Sequence, residues 1–329
     1  MLKERLKTAI PLIVIFLLAF FLPAPWDKLI FTLICIVGLG LAFQEAFAMM
    51  NVAHGKAFLW LSWIFGTLLI CSTSFSGISS TLGILITTGF LLAAACVVFK
   101  HGPTIQNVDA LLVSIGIFFY LAWTLSFIPG LYFFRDYYKP LNADAPQLFT
   151  TGKRLLLFLI VVTKLADVGA YAFGSMTAKL PGGNHKLSRL VSPKKSWEGL
   201  LGGILFASVG SVILYFLGLP GEWQFTLTGS EQIKQALAEL PKMPTLPVLP
   251  LWACVGMGAV AAVVGLLGDL LESCLKRAAN FKDSGKIPGI GGMLDVLDSI
   301  IPMAPLFYVV VCFSETYFHN YFMHTMIGH

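Results

Sequence analysis

Charged side chains are scarce in this sequence. Asp, Glu, Lys and Arg make up only 12% of its 329 residues, against roughly 25% in an ordinary soluble domain. A water-exposed surface needs more polar side chains than this chain can supply, and 57% of its residues are hydrophobic. The composition therefore excludes a soluble domain and a disordered segment. It indicates an all-α, polytopic integral membrane protein.

Cysteine is also sparse. The six cysteines form no C-x-x-C pair, and most of them lie in or beside apolar runs. In such surroundings cysteine behaves as a small hydrophobic residue. A secreted scaffold held together by disulfides is therefore excluded.

Long continuous apolar runs dominate the chain. A membrane-spanning helix needs about 20 mostly apolar residues, whereas β-barrel strands would give short alternating segments. The first run resembles a signal peptide, but the Pro-rich stretch after it is a poor cleavage site, so we expect a retained helix. We predict nine spanning helices at residues 9–22, 29–47, 57–71, 82–99, 110–128, 155–178, 197–217, 251–274 and 299–318.

The distribution of basic residues predicts the orientation. The loops on the side of the N-terminus contain about twice as many Lys and Arg residues as the loops on the opposite side. Because basic loops stay in the cytoplasm, this bias places the N-terminal side there. We expect a chain integral to the plasma (inner) membrane with its active site facing the cytoplasm. Residues 1–128 are interpreted as N-terminal scaffold helices, and residues 129–329 as the catalytic region with motif loops 179–196 and 275–298.

Two charged residues lie within the sixth predicted helix. Lys164 and Asp167 are three residues apart and so share one helical face. An ionised Asp near the bilayer centre costs about 2.5–3.5 kcal/mol. Either the two side chains form a structural ion pair, or this part of the helix lines a polar cavity open to the cytoplasm.

The basic loop before the seventh helix contains a second pattern. Ser192 followed by Pro193 is typical of a helix start, with Ser as the cap and Pro at the first helical position. Lys194 and Lys195 would then add positive charge to the free N–H groups of a helix N-terminus, which favours phosphate binding. The alternative is that the lysines only keep this loop in the cytoplasm.

Acidic residues collect around the end of the eighth helix. Asp269, Ser273 and Lys276 fall on one helical face, and after a Gly/Pro-rich turn Asp295 and Asp298 follow at the opening of the last helix. Three convergent carboxylates near many lysines suit Mg²⁺ holding a polyphosphate. A favourable interaction with the helix dipole would explain Asp295 and Asp298, but not Asp269.

These residues resemble the motifs of a known family, the phosphatidate cytidylyltransferases. The resemblance covers roughly residues 155–300 and includes the stretches 167–171 and 192–199. Its signature is matched by Ser273, Lys276, Arg277, Lys282, Asp283, Gly285, Pro288, Gly289, Gly291, Gly292, Asp295 and Asp298. The sequence departs from the family at Ile290, where the family has His, and at Val296, where it has Arg. The turn between Gly285 and Pro288 is also one residue short.

The resemblance implies an Mg²⁺-dependent nucleotidyltransferase that condenses CTP with phosphatidate to give CDP-diacylglycerol and pyrophosphate. It implies a metal site made by Asp269, Asp295 and Asp298, with room for a second cation. The catalytic residues it implies are Asp269, Lys276, Arg277, Lys282, Asp283, Asp295 and Asp298. The CTP-binding residues it implies are Asp167, Ser192, Lys194, Lys195, Ser196, Glu198, Gly291 and Gly292.

Three alternatives stay open at the level of sequence. A CTP-dependent lipid kinase would release CDP instead of pyrophosphate, and a divergent homologue of low activity would fit the departures at positions 290 and 296. An ion-coupled transporter would use Lys164, Asp167 and Asp269, although the sequence has no inverted repeat. The expected partners are CTP, phosphatidate and the bilayer, with no nucleic acid, and a homodimer is left open.

Overall fold

The computed structural model shows an almost entirely helical chain. Its helices are long and apolar, as expected of membrane spans. It describes residues 19–22, 25–76, 81–134, 150–181, 183–188, 190–219, 222–223, 246–281, 284–285 and 291–327.

The described part of the N-terminal half is helical. Its helices are α1 (Trp26–Met50), α2 (Gly55–Ser76), α3 (Thr81–His101), α4 (Ile105–Phe118) and α5 (Phe127–Tyr132). A π-helical turn, Phe119–Trp123, lies between α4 and α5, so that one span runs through all three segments.

The described residues of the C-terminal half form five further helices and two antiparallel strand pairs. The helices are α6 (Thr151–Thr177), α7 (Trp197–Phe216), α8 (Leu251–Ala278), α9 (Met293–Leu297) and α10 (Ile300–Ile327). The strands β1 (Lys186–Ser188) and β2 (Ser192–Ser196) form one antiparallel hairpin. The strands β3 (Glu222–Trp223) and β4 (Leu246–Pro247) form another antiparallel pair.

Eight stretches of the described chain are long and apolar enough to cross a membrane. They correspond to the second to ninth predicted spans, which confirms the polytopic all-α class. The predicted span at 9–22 lies mostly outside the described residues. Several observed helices extend a few residues beyond the predicted bounds, because polar terminal turns such as that of Lys276 and Arg277 continue an apolar helix.

Small residues allow close packing of the helices around the site. Gly202 on α7 faces Phe173 and the carbonyl of Gly169 on α6, and a Cβ at Gly202 would lie 2.8 Å from that oxygen. Gly203 faces the carbonyl of Ala166 in the same way, at 3.0 Å. These glycines therefore let the backbones of α6 and α7 approach closely.

Contacts between loops define the two ends of the bundle. At one end, His54 lies 3.2 Å from Asn107, while Glu45 near the end of α1 binds backbone N–H groups at the start of α9. At the other end, Lys153 forms a buried ion pair with Asp27. The β1–β2 hairpin lies toward the same end as the start of α9, because Lys195 of β2 reaches Asp269 in the last part of α8.

We expect Gly258→Ala to destabilise the bundle. A Cβ at Gly258 would lie 2.6 Å from the backbone N and Cα of Ser208 on α7, so the two helices would have to separate. Overpacking of this kind costs about 1–3 kcal/mol. The measurement is the thermal unfolding midpoint of the detergent-solubilised protein. The matched control is Gly256→Ala on the same helix, where the added Cβ meets nothing within 4 Å, and equal midpoints for the two variants would contradict the prediction.

Candidate functional site

The hairpin before α7 corrects one prediction. Residues 192–196 form strand β2, paired with β1, so no helix begins at Pro193. The helix begins at Trp197, and its cap is Ser196, whose hydroxyl accepts a hydrogen bond from Gly199 N at 3.1 Å. The Ser192-Pro193 pattern was misleading because Pro also fits an edge strand, and Ser196 offers a second cap of the same chemistry.

The hairpin is fastened to its neighbours by polar contacts. Glu198 accepts hydrogen bonds from His185 N and lies 2.7 Å from His185 Nδ1. Asn184 Nδ2 donates to the carbonyl of Gly174 on α6 at 2.6 Å and to Ser196 Oγ at 3.3 Å. Ser196 and Glu198, predicted to bind the nucleotide, thus use their side chains to hold the hairpin against α6 and α7.

The two hairpin lysines have different surroundings. Lys195 reaches α8, where its ammonium forms an ion pair with Asp269 Oδ2 at 2.6 Å and donates to the carbonyl of Leu266 at 3.4 Å. Lys194 is exposed, and Ser192 is half-buried. The hairpin therefore places one ammonium group beside the acids of α8 and a second one at the surface.

Three carboxylates meet where α8 crosses the start of α10. Asp269, Glu272 and Asp298 each offer an oxygen within 4.8 Å of the others, and we call them the acid cluster. The crossing is tight because Gly268 lies against the carbonyl of Asp298 and the ring of Pro302. Asp269 is nine residues before the end of α8, which puts the cluster about 14 Å below the helix end.

Glu272 is the most buried member of the acid cluster, with 2% of the residue exposed. Lys276, one turn later, has its ammonium 2.6 Å from Glu272 Oε2 as an ion pair. Apart from this ion pair, neither oxygen of Glu272 accepts a hydrogen bond of good geometry from the described residues. Because buried carboxylates normally have partners, this one retains capacity for a cation or a donor.

A second polar group borders the cluster on α6. Lys164 donates to Asp167 Oδ2 at 3.1 Å and to Ser299 Oγ at 3.2 Å, and Ser299 N donates to Asp298 Oδ1 at 2.6 Å. The side chains of Lys164 and Asp167 are nearly half exposed. The two residues thus form the ion pair that the sequence offered as one interpretation, and they border the acid cluster. The polar cavity open to the cytoplasm stays a prediction.

Asp295 lies beside the acid cluster and is held by other groups. Its Oδ1 pairs with Lys276, and its Oδ2 accepts hydrogen bonds from Ser284 N at 3.2 Å, Ser284 Oγ at 2.9 Å and Gly292 N at 2.9 Å. It is also close enough to Glu272 to interact with it electrostatically. Lys276 thus joins Asp295 to Glu272.

The remaining predicted residues have varied positions. Arg277 is exposed at the end of α8, Gly291 has a positive φ of 93°, and Gly292 precedes the first residue of α9. Lys282, Asp283 and Ile290 lie outside the described residues.

Sequence reasoning assigned no role to three residues at this site. Glu272 shares the helix of Asp269 and could have been noticed as an acid within an apolar run. Glu45 belongs to the N-terminal half. The only sequence feature that could have marked it as functional was its charge within an apolar helix. Tyr120 lies on the π-helical turn, a feature that often marks functional sites. Its buried hydroxyl has no hydrogen-bond partner among the described residues and interacts electrostatically with the three carboxylates of the acid cluster.

Fold and site together define a polytopic helical membrane protein with a recessed group of carboxylates and ammonium groups near one end of its bundle. A sequence model of the cytidylyltransferase family matches residues 3–314, and the chain belongs to this family.

Several curated relatives share part of the sequence. A phosphatidate cytidylyltransferase of Chlamydia muridarum is 28% identical over 188 residues, which is 57% of this chain and 52% of the relative. Those of Staphylococcus aureus (strain COL) and Chlamydia pneumoniae are 34% and 31% identical, over 49% and 57% of this chain and 50% and 52% of theirs. The matched segment thus spans about half the length of these relatives.

We expect Lys276→Met to lower stability when divalent cations are removed with a chelator. The change leaves Glu272 buried without its cation, and breaking a buried ion pair from one side costs about 3–5 kcal/mol. The measurement is the thermal unfolding midpoint. Arg277→Met, at the exposed neighbouring position, is the control and should change it little. The double variant Lys276→Met/Glu272→Gln should recover part of the loss, and no recovery would show that Glu272 is not the cause.

Proposed function

We propose that this protein condenses CTP with phosphatidate to give CDP-diacylglycerol and pyrophosphate, as a phosphatidate cytidylyltransferase embedded in the membrane. The observation that carries the proposal is the acid cluster of α8 and α10, surrounded by lysines, in a chain of the cytidylyltransferase family. The names of the curated relatives support the same activity.

The position of the site suits two substrates of opposite solubility. The acid cluster lies below one end of the bundle, while the side chains of Lys164, Asp167 and Asp269 remain 40–46% exposed. A soluble nucleotide can enter from that end, and a lipid phosphate can approach between helices from the bilayer. The basic residues of the loops at this end support a cytoplasmic orientation, and the plasma membrane as its location stays a prediction. A homodimer stays a prediction.

The acid cluster fits a hard divalent cation such as Mg²⁺. Its donors are carboxylate oxygens, which this metal prefers together with phosphate oxygens, and Glu272 has a buried oxygen with unused capacity. Asp269, Glu272 and Asp298 would hold the ion, with Asp295 adjacent. When bound, Mg²⁺ would neutralise phosphate charge and help to align the two substrates.

A count of charges supports the same assignment. The acid cluster, Asp295 and Asp167 make five carboxylates, and the ammonium groups paired with them belong to Lys164, Lys195 and Lys276. Five minus three leaves an excess of two negative charges, which one divalent cation would balance. Phosphate groups that then bind would need further cations. Lys194 and Arg277 could supply them, because they are exposed and directly adjacent in sequence to Lys195 and Lys276.

The proposed reaction does not need a strong general base. An oxygen of the phosphatidate phosphate forms a bond to the α-phosphorus of CTP, and the bond from that phosphorus to the bridging β-phosphate oxygen breaks. The electron pair leaves with pyrophosphate. Because the nucleophile is already an anion, the barrier lies in charge repulsion and alignment. Lys195 and Lys276 would offset that repulsion, and the hairpin held by Ser196 and Glu198 would position Lys194 and Lys195.

We expect Asp269→Asn and Asp298→Asn each to lower kcat by about 100-fold or more, since each would remove a carboxylate proposed to hold the divalent cation that aligns the phosphates. Purified protein is incubated with labelled CTP and phosphatidate, with and without Mg²⁺, and CDP-diacylglycerol and pyrophosphate are measured. Asp109→Asn, at an exposed carboxylate of α4, is the matched control.

The products distinguish the proposal from its rivals. Equal amounts of CDP-diacylglycerol and pyrophosphate support it, whereas release of CDP would indicate phosphoryl transfer to a lipid alcohol. Wild-type turnover in both Asn variants would remove the acid cluster from the mechanism. A low rate that rises in Val296→Arg would identify a divergent homologue whose departure at position 296 limits turnover.

A further inference from the structure

Glu45 is a charged residue in the apolar helix α1 of the N-terminal half. Its carboxylate accepts hydrogen bonds from Met293 N at 2.8 Å and Leu294 N at 3.0 Å, and it shares the single hydroxyl proton of Ser284, 3.1 Å away, with Asp295. A carboxylate within a membrane span is costly unless it is satisfied, and hydrogen bonds to an ionised acceptor are stronger than neutral ones. All three donors belong to the connection between α8 and α10.

The backbone closes tightly around this carboxylate. A Cβ added at Gly285 would collide with Glu45 Oε1 and lie 2.8 Å from Gly292 Cα. A Cβ added at Gly292 would lie 2.6 Å from Glu45 Oε2 and 2.5 Å from Gly285 N. Neither position admits a side chain while Glu45 is in place. The Glu45 carboxylate therefore fixes the separation of the two backbone segments that pass it.

The same donors lead directly to the candidate site. Ser284 Oγ lies 3.1 Å from Glu45 Oε2 and 2.9 Å from Asp295 Oδ2, and Ser284 N and Gly292 N also donate to Asp295. Asp295 in turn pairs with Lys276, whose ammonium also pairs with Glu272. A displacement of Ser284 or Gly292 would therefore move Asp295 and, through it, the Lys276 ammonium.

We propose that Glu45 is a positioning residue: from the N-terminal half it fixes the α8–α10 connection, and through Ser284 and Asp295 it sets the place of the Lys276 ammonium beside the acid cluster. Its effect on turnover rests on the proposed function, whereas its effect on the connection does not. Glu45 contacts the reacting groups only through these residues and is therefore not itself a catalytic residue.

The test compares Glu45→Gln with Gln44→Ala in the full chain. Gln retains the shape of Glu, but its NH₂ group replaces one acceptor oxygen and therefore faces a hydrogen-bond donor of the connection. Gln44, the preceding residue, is exposed on another face of α1 and serves as the matched control. Hydrogen exchange in detergent, without substrate, reports the amides of Met293 and Leu294. We expect exchange there to rise roughly 10- to 100-fold in Glu45→Gln, as loss of hydrogen bonds to a charged group implies, and to stay unchanged in Gln44→Ala.

Kinetics separate a positioning role from a purely structural one. In Glu45→Gln we expect kcat to fall by roughly 10- to 100-fold while KM for CTP changes by less than about threefold, since small misplacement of charged groups acts mainly on the transition state. Ser284→Ala should give a smaller loss of the same kind. The double variant Glu45→Gln/Ser284→Ala should have the same kcat as Glu45→Gln alone, because the effects of coupled residues are not additive.

Each other result overturns the proposal. Unchanged exchange at Met293 and Leu294 shows that Glu45 does not hold the connection. Faster exchange in every helix shows a general loss of folding, and additive losses in the double variant show that Ser284 is not the link. If Glu45→Gln fails to fold, normal kcat in Ser284→Ala refutes the relay. If wild-type protein does not turn over CTP, the proposed function fails, while the exchange data still decide whether Glu45 fixes the connection.

Discussion

The pairing of acidic and basic side chains inside an apolar bundle is the constraint on which the rest of this structure depends. An ion removed from water is tolerated only with a partner. Two pairs lie within one helix, Lys164 with Asp167 on α6 and Lys276 with Glu272 on α8. Two others join different elements, since Lys195 of the hairpin pairs with Asp269 of α8, and Lys276 of α8 also pairs with Asp295 of α9. The ion pairs therefore require the hairpin, α8 and α9 to pack together.

The tight helix crossings follow from the same requirement. Short side chains such as those of Asp and Ser span only a few ångströms, so the backbones that carry them must approach closely. Gly268 brings α8 against the carbonyl of Asp298, and Gly202 brings α7 against α6. The apolar surface on the outside of the bundle can vary without affecting these contacts. The polar interior cannot, because a displaced helix would leave a buried charge without its partner.

The sequence predicted the spans and much of the candidate site, for a physical reason. Apolar runs and helical spacing are local, so the class of fold and the shared face of Asp269 and Lys276 could be inferred directly. The helix start at Ser192 was wrong because two serines offered the same cap, and only pairing between strands chooses between them. Glu45 and Tyr120 could not be assigned, since their contacts join residues far apart in the chain and leave no periodic signal.

The N-terminal half therefore contributes more than a lipid-facing scaffold. A glycine-rich connection loses more conformational entropy on ordering than other segments. Hydrogen bonds to a neighbouring helix can offset this loss. Glu45 provides two oxygens, which accept hydrogen bonds from both backbone segments of the connection. Since Asp295 is held by that connection and pairs with Lys276 of α8, the geometry of the charged site depends on α1 as well as on the helices that carry the acids.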